Sequence, residues 1–288
     1  MRRAKNITSL PDVISDKIKN GSSLAGDDYN HEQRKIWFEQ EKEAYYEDDA
    51  GNGETDPWYA YMRVVNEKLG FPFINTAENQ KGKILLIGPG PATEIDRFYR
   101  DNPHWLLYFI EASNNFKKQL KINFPDAFLI DPSIDGDILL ESNSLNAVCS
   151  FSVLHHIPNV SKVLSEISRV LIPGGILLVR EPCSSCGDWR YIRSATPNER
   201  GISRRLMIEM GERVGLELIK RPVPILFEPI NKILRKTIGY QFVSLKFLFV
   251  IDRLLSKLLS INDHYWRNRW YKKLGPSSYF FVFKKRRA

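Results

Sequence analysis

The 288-residue chain is poor in cysteine, with only Cys149, Cys183 and Cys186. An odd number of cysteines without an apolar secretion signal argues against a disulfide framework, and reduced thiols are expected. Cys183 and Cys186 form a single CxxC, and no second pair exists to complete a four-ligand zinc set, so no metal is expected. The chain also lacks any run of about 18 uncharged apolar residues, the minimum for a spanning helix. Its N-terminal stretch, MRRAKNITSLPDV, carries charge but no apolar h-region. A cytoplasmic location is the expectation, with peripheral contact at the inner membrane face as the remaining route to lipid. There are no internal repeats.

What is present is apolar residue at 43% and aromatic residue at 12%, enough for a sizeable core. Charge is uneven: residues 221–288 hold 15 Lys/Arg against 3 Asp/Glu, so this segment is +12 and the remainder −4. A local basic face suits phosphates of anionic lipids or of a phosphate-bearing substrate better than it suits a nucleic acid, which is not expected as a partner.

The organising stretch is Lys83 to Asp96, KILLIGPGPATEID. Lys83 to Ile87 reads as a buried parallel strand, Gly88 and Gly90 as a tight turn, and Ile95, Phe98 and Tyr99 as a helix with Thr93 at its N-cap. Nucleotide-type ligands favour the crevice at such a turn. A dinucleotide fingerprint starting at Gly88 would require Gly or Ala at position 93, where Thr stands.

Strand and helix then alternate, as in a doubly wound α/β sheet. Strands are expected at Trp105 to Glu111, Ala127 to Asp131, Ala147 to Phe151, Gly175 to Arg180, Leu216 to Arg221 and Ser278 to Phe283. Helices are expected at Asn159 to Leu171, ended by Pro173-Gly174-Gly175, and at Ile202 to Val214 before Gly215. Ahead of this core, residues 1 to about 26 read as a loose leader. Helices near Asn30 and from Trp58 to Leu69, closed by Gly70, follow as a packing layer or a lid. Between the last two strands, Pro222 to Gly275 is too long for a plain loop. It combines an amphipathic stretch, Phe242 to Ile261, with the aromatic-basic run His264 to Lys273, suited to a membrane interface, a sugar or phosphate surface, or a solvated helical cap. Three parts result: 1–80, a core of 81–221 plus 276–288, and a basic helical insertion at 222–275.

Gly88-Pro89-Gly90, Glu111, Leu154-His155-His156-Ile157-Pro158 and Leu171-Ile172-Pro173-Gly174-Gly175 occur in an order that resembles the class I S-adenosylmethionine-dependent methyltransferases. The resemblance implies a mostly parallel, seven-stranded Rossmann-like sheet whose last strand inserts antiparallel between the fifth and sixth. It implies S-adenosylmethionine as cofactor, held by Gly88, Pro89, Gly90, Glu111, Ala112, Asp131 and Ser152. Independently of the family, Glu111 lies 21 residues after Gly90 at a strand end, where a carboxylate reaches ribose hydroxyls. Asp135 and Asp137 compete with Asp131. Two departures stand out. The acid that the family places two residues before the first glycine is Leu86, with Glu94 a possible substitute, and the third glycine is Ala92.

For an alcohol acceptor, His155 or His156 is the candidate general base, with packing or helix capping as the alternative role. Glu181, Asp188, Trp189 and Arg190 form a polar loop after the fifth strand, suited to holding a sugar or to an internal ion pair. This EPxxSxGDWR…NERGI stretch is similar to methyltransferases of bacterial surface-polysaccharide synthesis. The expected activity is O-methylation of a small-molecule or glycan acceptor. A quinone-like lipophilic acceptor and a non-catalytic binding or scaffold protein are the alternatives.

Overall fold

Every second residue of β1 (Lys83–Ile87) enters a different core. Ile84 and Leu86 pack on one face of the sheet, and Leu85 and Ile87 on the other. A strand buried on both faces must be apolar throughout, which is why this run shows no alternation. The computed structural model describes residues 15–44, 57–74, 81–185, 198, 200–226 and 245–287.

The other strands are β2 (Leu106–Ile110), β3 (Phe128–Ile130), β4 (Leu145–Phe151), β5 (Leu171–Pro182), β6 (Leu216–Leu218), β7 (Val223–Ile225) and β8 (Ser278–Lys285). Their order is β3-β2-β1-β4-β5-β8-β6, with β7 pairing with β8 beyond the point where β6 stops. The β1–β5 strands are parallel, and β8 runs antiparallel between β5 and β6 as expected. The sheet has eight strands. The additional one, β7, lies inside the stretch expected to be a helical insertion, and its backbone completes the pairing of β8 where a helix would leave it open.

The helices are α1 (Asp16–Lys19), α2 (His31–Ala44), α3 (Pro57–Leu69), α4 (Asp96–Asp101), α5 (Asn114–Asn123), α6 (Val160–Val170), α7 (Arg204–Arg213) and α8 (Leu245–Leu259). The amphipathic α6 buries Val160, Val163, Leu164, Ile167 and Val170 against β4, β5 and α7. Each such burial stabilises by about 1.5–3 kcal/mol. At α2, the Asn30 Oδ1 accepts from Gln33 N and Gln33 Oε1 accepts from Asn30 N, both at 3.0 Å, a reciprocal cap that starts the helix where expected.

Four local expectations change. Residues 15–26 are ordered: α1 is capped by Ser15, and Leu24 and Ala25 are buried. Thr93 does not cap the helix after β1, which begins at Asp96 after a turn over 93–95. Gly70 closes α3 for lack of room, since a Cβ there would lie 2.6 Å from Phe280 Cζ. Finally, α6 ends at Val170 and β5 starts at Leu171, so Pro173-Gly174-Gly175 lies within the strand span, not after a longer helix.

The loop between β3 and β4 is clamped to the last turn of α6. Glu166 accepts from Ile138 N at 3.1 Å and from Arg169 Nη2 at 2.7 Å, and Arg169 donates to the carbonyls of Ile138 at 2.7 Å and Leu140 at 2.9 Å. The Arg169 hydrogen bond is the main cause holding the Glu166 carboxyl down to about 2. A depressed carboxyl stabilises the fold above its ordinary value of 4.5 and loses that contribution as pH falls toward 2. In acid titrations of unfolding free energy, the wild type should therefore lose on the order of 2–3 kcal/mol more than Glu166→Gln across that window. Parallel curves for the two proteins would contradict the clamp.

Candidate functional site

The register places Ile87, Ile110 and Ile130 side by side, with Phe151 beside Arg180 one step further on, at the carboxyl edge of the sheet. The strand order reverses between β1 and β4, and a crevice opens there. Backbone geometry makes the turn after β1. Gly88 has φ +58°, and a Cβ on it would lie 2.6 Å from Val153 Cγ1, so a side chain is excluded twice over. Gly90 has φ +54°, yet a Cβ there would meet only the Phe116 ring edge, at 3.9 Å. Its bareness leaves the backbone open to the crevice. Ala92, at the family's third glycine, is buried with φ +55°, a conformation costing about 1–2 kcal/mol in a non-glycine residue.

Glu111 follows β2 directly and is buried. Its Oε2 accepts from Gly90 N at 3.0 Å and its Oε1 from Ser113 N at 2.8 Å. Burial pushes its carboxyl above the usual range, and the backbone donors of Ser113 and Gly90 oppose that shift. Each oxygen keeps a lone pair for a further donor, such as a hydroxyl. Gly88, Pro89, Gly90, Glu111, Ala112 and Ser152 all line one cleft of about 1110 Å³. Small-molecule sites typically measure about 300–1,000 Å³, so the cleft has room for a nucleoside cofactor together with an acceptor.

Asp131 does not join them. It follows β3, the edge strand, and is exposed to solvent, where it is paired with Lys117. Its neighbour Pro132 lines the cleft instead. The two competing acids are likewise engaged: Asp135 by His31 at 2.9 Å and Arg34 at 3.0 Å, and Asp137 by Lys162 at 2.9 Å. A side chamber of about 90 Å³, sharing the cleft walls Ile87 and Ile110, is bounded by Pro132, Ile134 and Ile138.

The two histidines after β4 each have a carboxylate partner. His155 Nδ1 lies 2.7 Å from Glu181 Oε2, and His156 Nδ1 lies 2.8 Å from Glu41 Oε2. Glu181 is completely buried and also accepts from the backbone N–H groups of Val153 and Leu154 at 2.9 Å and of His155 at 3.4 Å. In the neutral imidazole, the tautomer that fits this contact has the Nδ1 proton donated to Glu181 and leaves Nε2 as the acceptor. Both imidazoles line the cleft, with ring centroids 3.9 Å apart. Glu181, expected above as a substrate contact, is instead fully buried, with its oxygens taken up by the turn it holds. Asp188, Trp189 and Arg190 lie outside the described residues.

Leu86 is buried in the core and cannot hold a cation. Glu94 stands at the cleft wall, but its oxygens accept from Arg180 Nη1 and Nη2 at 2.8 and 2.9 Å, and from Asn66 Nδ2 at 2.6 Å. Arg180 is buried and stands 5.3 Å over the Phe151 ring. Its signal in the sequence was a charge ending the apolar run of β5.

Three further contributors are not among the site residues named above, although the helix near Asn30 and the run His264 to Lys273 are read there as a packing layer or lid and as a membrane, sugar or phosphate surface or a cap. Phe38, Glu41 and Lys42 of α2 line the cleft, as do Trp266, Arg267 and Lys273 of the basic segment. Arg200 is fully buried. It donates to the carbonyls of His155 at 2.8 Å and of Ile157 and Pro158 at 2.9 Å, over the Trp37 ring at 4.8 Å. Burial pulls its guanidinium down to about 10. Trp37 Nε1 donates to the His156 carbonyl at 2.7 Å, so the histidine turn is fixed from outside by residues distant in sequence. Cys183 donates to the Pro276 carbonyl at 3.0 Å, and Cys186 lies outside the described residues.

Residues 85–179 match the family model described as Methyltransferase domain. Over 112 residues the chain is 33% identical to a sterol 24-C-methyltransferase of Debaryomyces hansenii, covering 36% of this chain and 28% of that protein. The chain thus spans under a third of that relative's length. Among solved structures, a Burkholderia thailandensis 1,6-didemethyltoxoflavin-N1-methyltransferase with bound S-adenosylhomocysteine aligns at TM-score 0.53 and 11% identity, over 90% of this chain and 92% of that one. A Haemonchus contortus phosphoethanolamine N-methyltransferase 2 in complex with S-adenosylmethionine aligns at 0.53 and 15%, over 92% and 61%. The [4+2]-cyclase SpnF aligns at 0.53 and 13%, over 92% and 100%, so this fold also houses other reactions. The fold is that of these methyltransferase structures, and residues 85–179 match a methyltransferase domain.

Calorimetric titration of Glu111→Ala with S-adenosylmethionine should show affinity weakened by about 1.5–3 kcal/mol, the worth of hydrogen bonds to a charged group. Unchanged affinity in a folded variant would remove Glu111 from the cofactor site. Asp131→Ala, exposed and outside the cleft, should bind within about 0.5 kcal/mol of wild type.

Proposed function

We propose that the protein is a cytoplasmic S-adenosylmethionine-dependent methyltransferase acting on a hydroxyl oxygen. In this reading the acceptor is a sugar of a glycan, or of its lipid- or nucleotide-linked precursor. The observation that carries the oxygen specificity is the His155–Glu181 pair at the cleft wall. The open backbone at Gly90 and the Glu111 carboxylate fit the nucleoside end of the cofactor, and the side chamber beside Pro132 and Ile134 fits an apolar ring face.

The cofactor supplies an activated methyl carbon on a sulfonium. A hydroxyl acceptor must shed its proton as its oxygen is methylated, and His155, which lines the cleft and is held through Nδ1, would take it on Nε2. Glu181 fixes the tautomer and stabilises the imidazolium that results. The cleft holds acceptor and cofactor together, and position alone contributes much of the rate. The resemblance of the loop after β5 to polysaccharide-associated methyltransferases supports a sugar. A lipophilic acceptor is the second reading, supported by the sterol methyltransferase relative and by the apolar walls Phe38, Met62 and Phe151.

Calorimetry with S-adenosylmethionine and S-adenosylhomocysteine, followed by transfer of labelled methyl to sugar and to lipophilic acceptors, tests both. His155→Asn should retain cofactor affinity and lose about a hundredfold or more in kcat. Glu181→Asp should restore more turnover than Glu181→Ala. Full turnover in His155→Asn would defeat the proton-transfer role, and absence of cofactor binding would defeat the whole reading.

A further inference from the structure

The outer face of α8 is apolar and bare. Phe247, Val250, Leu254, Leu258 and, just past the helix, Ile261 recur at three- and four-residue steps, so they form one stripe. All are exposed, Leu254 at 67%, Leu258 at 66% and Ile261 at 91%. The opposite face is anchored. Leu248 is buried, and the buried Asp252 accepts from Tyr61 Oη at 2.6 Å, Leu226 N at 2.8 Å and Ser256 Oγ at 2.9 Å. The stripe is therefore not an inward face turned the wrong way.

Its surroundings specify an occupant. Lys246, Arg253 and Lys257, at steps of seven and four, run along one flank of the stripe. Asn262 Nδ2 donates to the carbonyls of Tyr271 at 2.6 Å and Leu274 at 2.9 Å, which holds the loop carrying exposed Arg269, Trp270 and Lys273 against the end of α8. The only acids between 245 and 287 are Asp252, buried as above, and Asp263, held by Tyr279 Oη at 3.0 Å and Arg204 Nε at 3.2 Å. Between residues 245 and 287 the face thus shows apolar residues, a tryptophan and cations, and both acids of that span are engaged.

We propose that α8 and the 269–274 loop form a docking surface for an anionic lipid bilayer, with the stripe entering the headgroup–acyl boundary and the cations meeting lipid phosphates. A stripe one helix wide with a cationic flank is the form of a helix lying in the interface plane. No helix among the described residues is long and apolar enough to cross a membrane. Trp266, Arg267 and Lys273 of the same segment line the cleft, so docking brings the cleft to the lipid surface, where a lipid-linked acceptor would be presented.

Sedimentation of the full chain with vesicles tests this, one set of phosphatidylcholine and one of phosphatidylcholine and phosphatidylglycerol in equal parts. Wild type should bind the anionic set, and binding should fall with salt and by roughly fivefold for each of Lys246→Gln and Lys257→Gln. Leu254→Asp with Leu258→Asp, at exposed positions, should lower binding at least tenfold while leaving the melting temperature and S-adenosylmethionine affinity unchanged. Equal binding to both vesicle sets, or no loss in the aspartate variant, would overturn the proposal. So would a lipid-free dimer that the aspartate variant dissolves, since the stripe would then be an interface between copies of the chain. Vesicle binding is read without methyl transfer, so it fails or stands independently of the catalytic reading.

Discussion

A buried carboxylate must be met by donors from every side, and Glu181 is where the structure answers that demand most fully. It is completely buried at the end of β5 and takes three backbone N–H groups and the His155 imidazole from the turn after β4. One side chain thereby joins two neighbouring strands at their carboxyl ends and sets the tautomer of a histidine at the cleft wall. Arg200 and Trp37 hold the same turn from outside through its carbonyls. The turn has little secondary structure of its own, and its shape is imposed by these partners.

The rest of the cleft repeats this pattern of buried charge satisfied across elements. Glu111 is held by the backbone on both of its oxygens, and Glu94 and Arg180 neutralise one another with Asn66. Breaking one partner of such a pair strands the other in a low-dielectric interior, typically at a cost of about 3–5 kcal/mol. The glycine-turn side of the cleft is held by these paired charges, and α2, α3 and the basic segment supply further walls. The exposed apolar stripe of α8 belongs to these outer elements, separate from the glycine turn of the methyltransferase domain.

The alternating strands, the two-glycine turn and the amphipathic α6 were legible in the chain because each depends on neighbours in sequence: runs, periods of two or 3.6 residues, and glycine where φ must be positive. The position of Glu111 was legible for the same reason, since a strand end fixes where its next residue sits. Asp131 was placed in the cleft by analogy of position, and its fate depended on β3 being an edge strand beside Lys117, which is a fact of sheet order. Thr93 fits a cap by residue type, but the backbone turns once more before α4 starts, and its buried hydroxyl has no partner among the described residues.

By itself, then, the sequence determined the sheet-and-helix alternation, the location of the crevice and the presence of two histidines beside it, since these follow from local pattern and from the order of motifs. Only the tertiary structure decided that β7 completes the sheet, that Glu181 and Glu41 pair with the two histidines, that Arg200 is a buried clamp and that α8 turns Phe247, Val250, Leu254 and Leu258 outward. Those outcomes join residues tens to more than a hundred positions apart. They are selected by the requirement that buried charges and backbone groups be satisfied in three dimensions, and no spacing in one dimension encodes that.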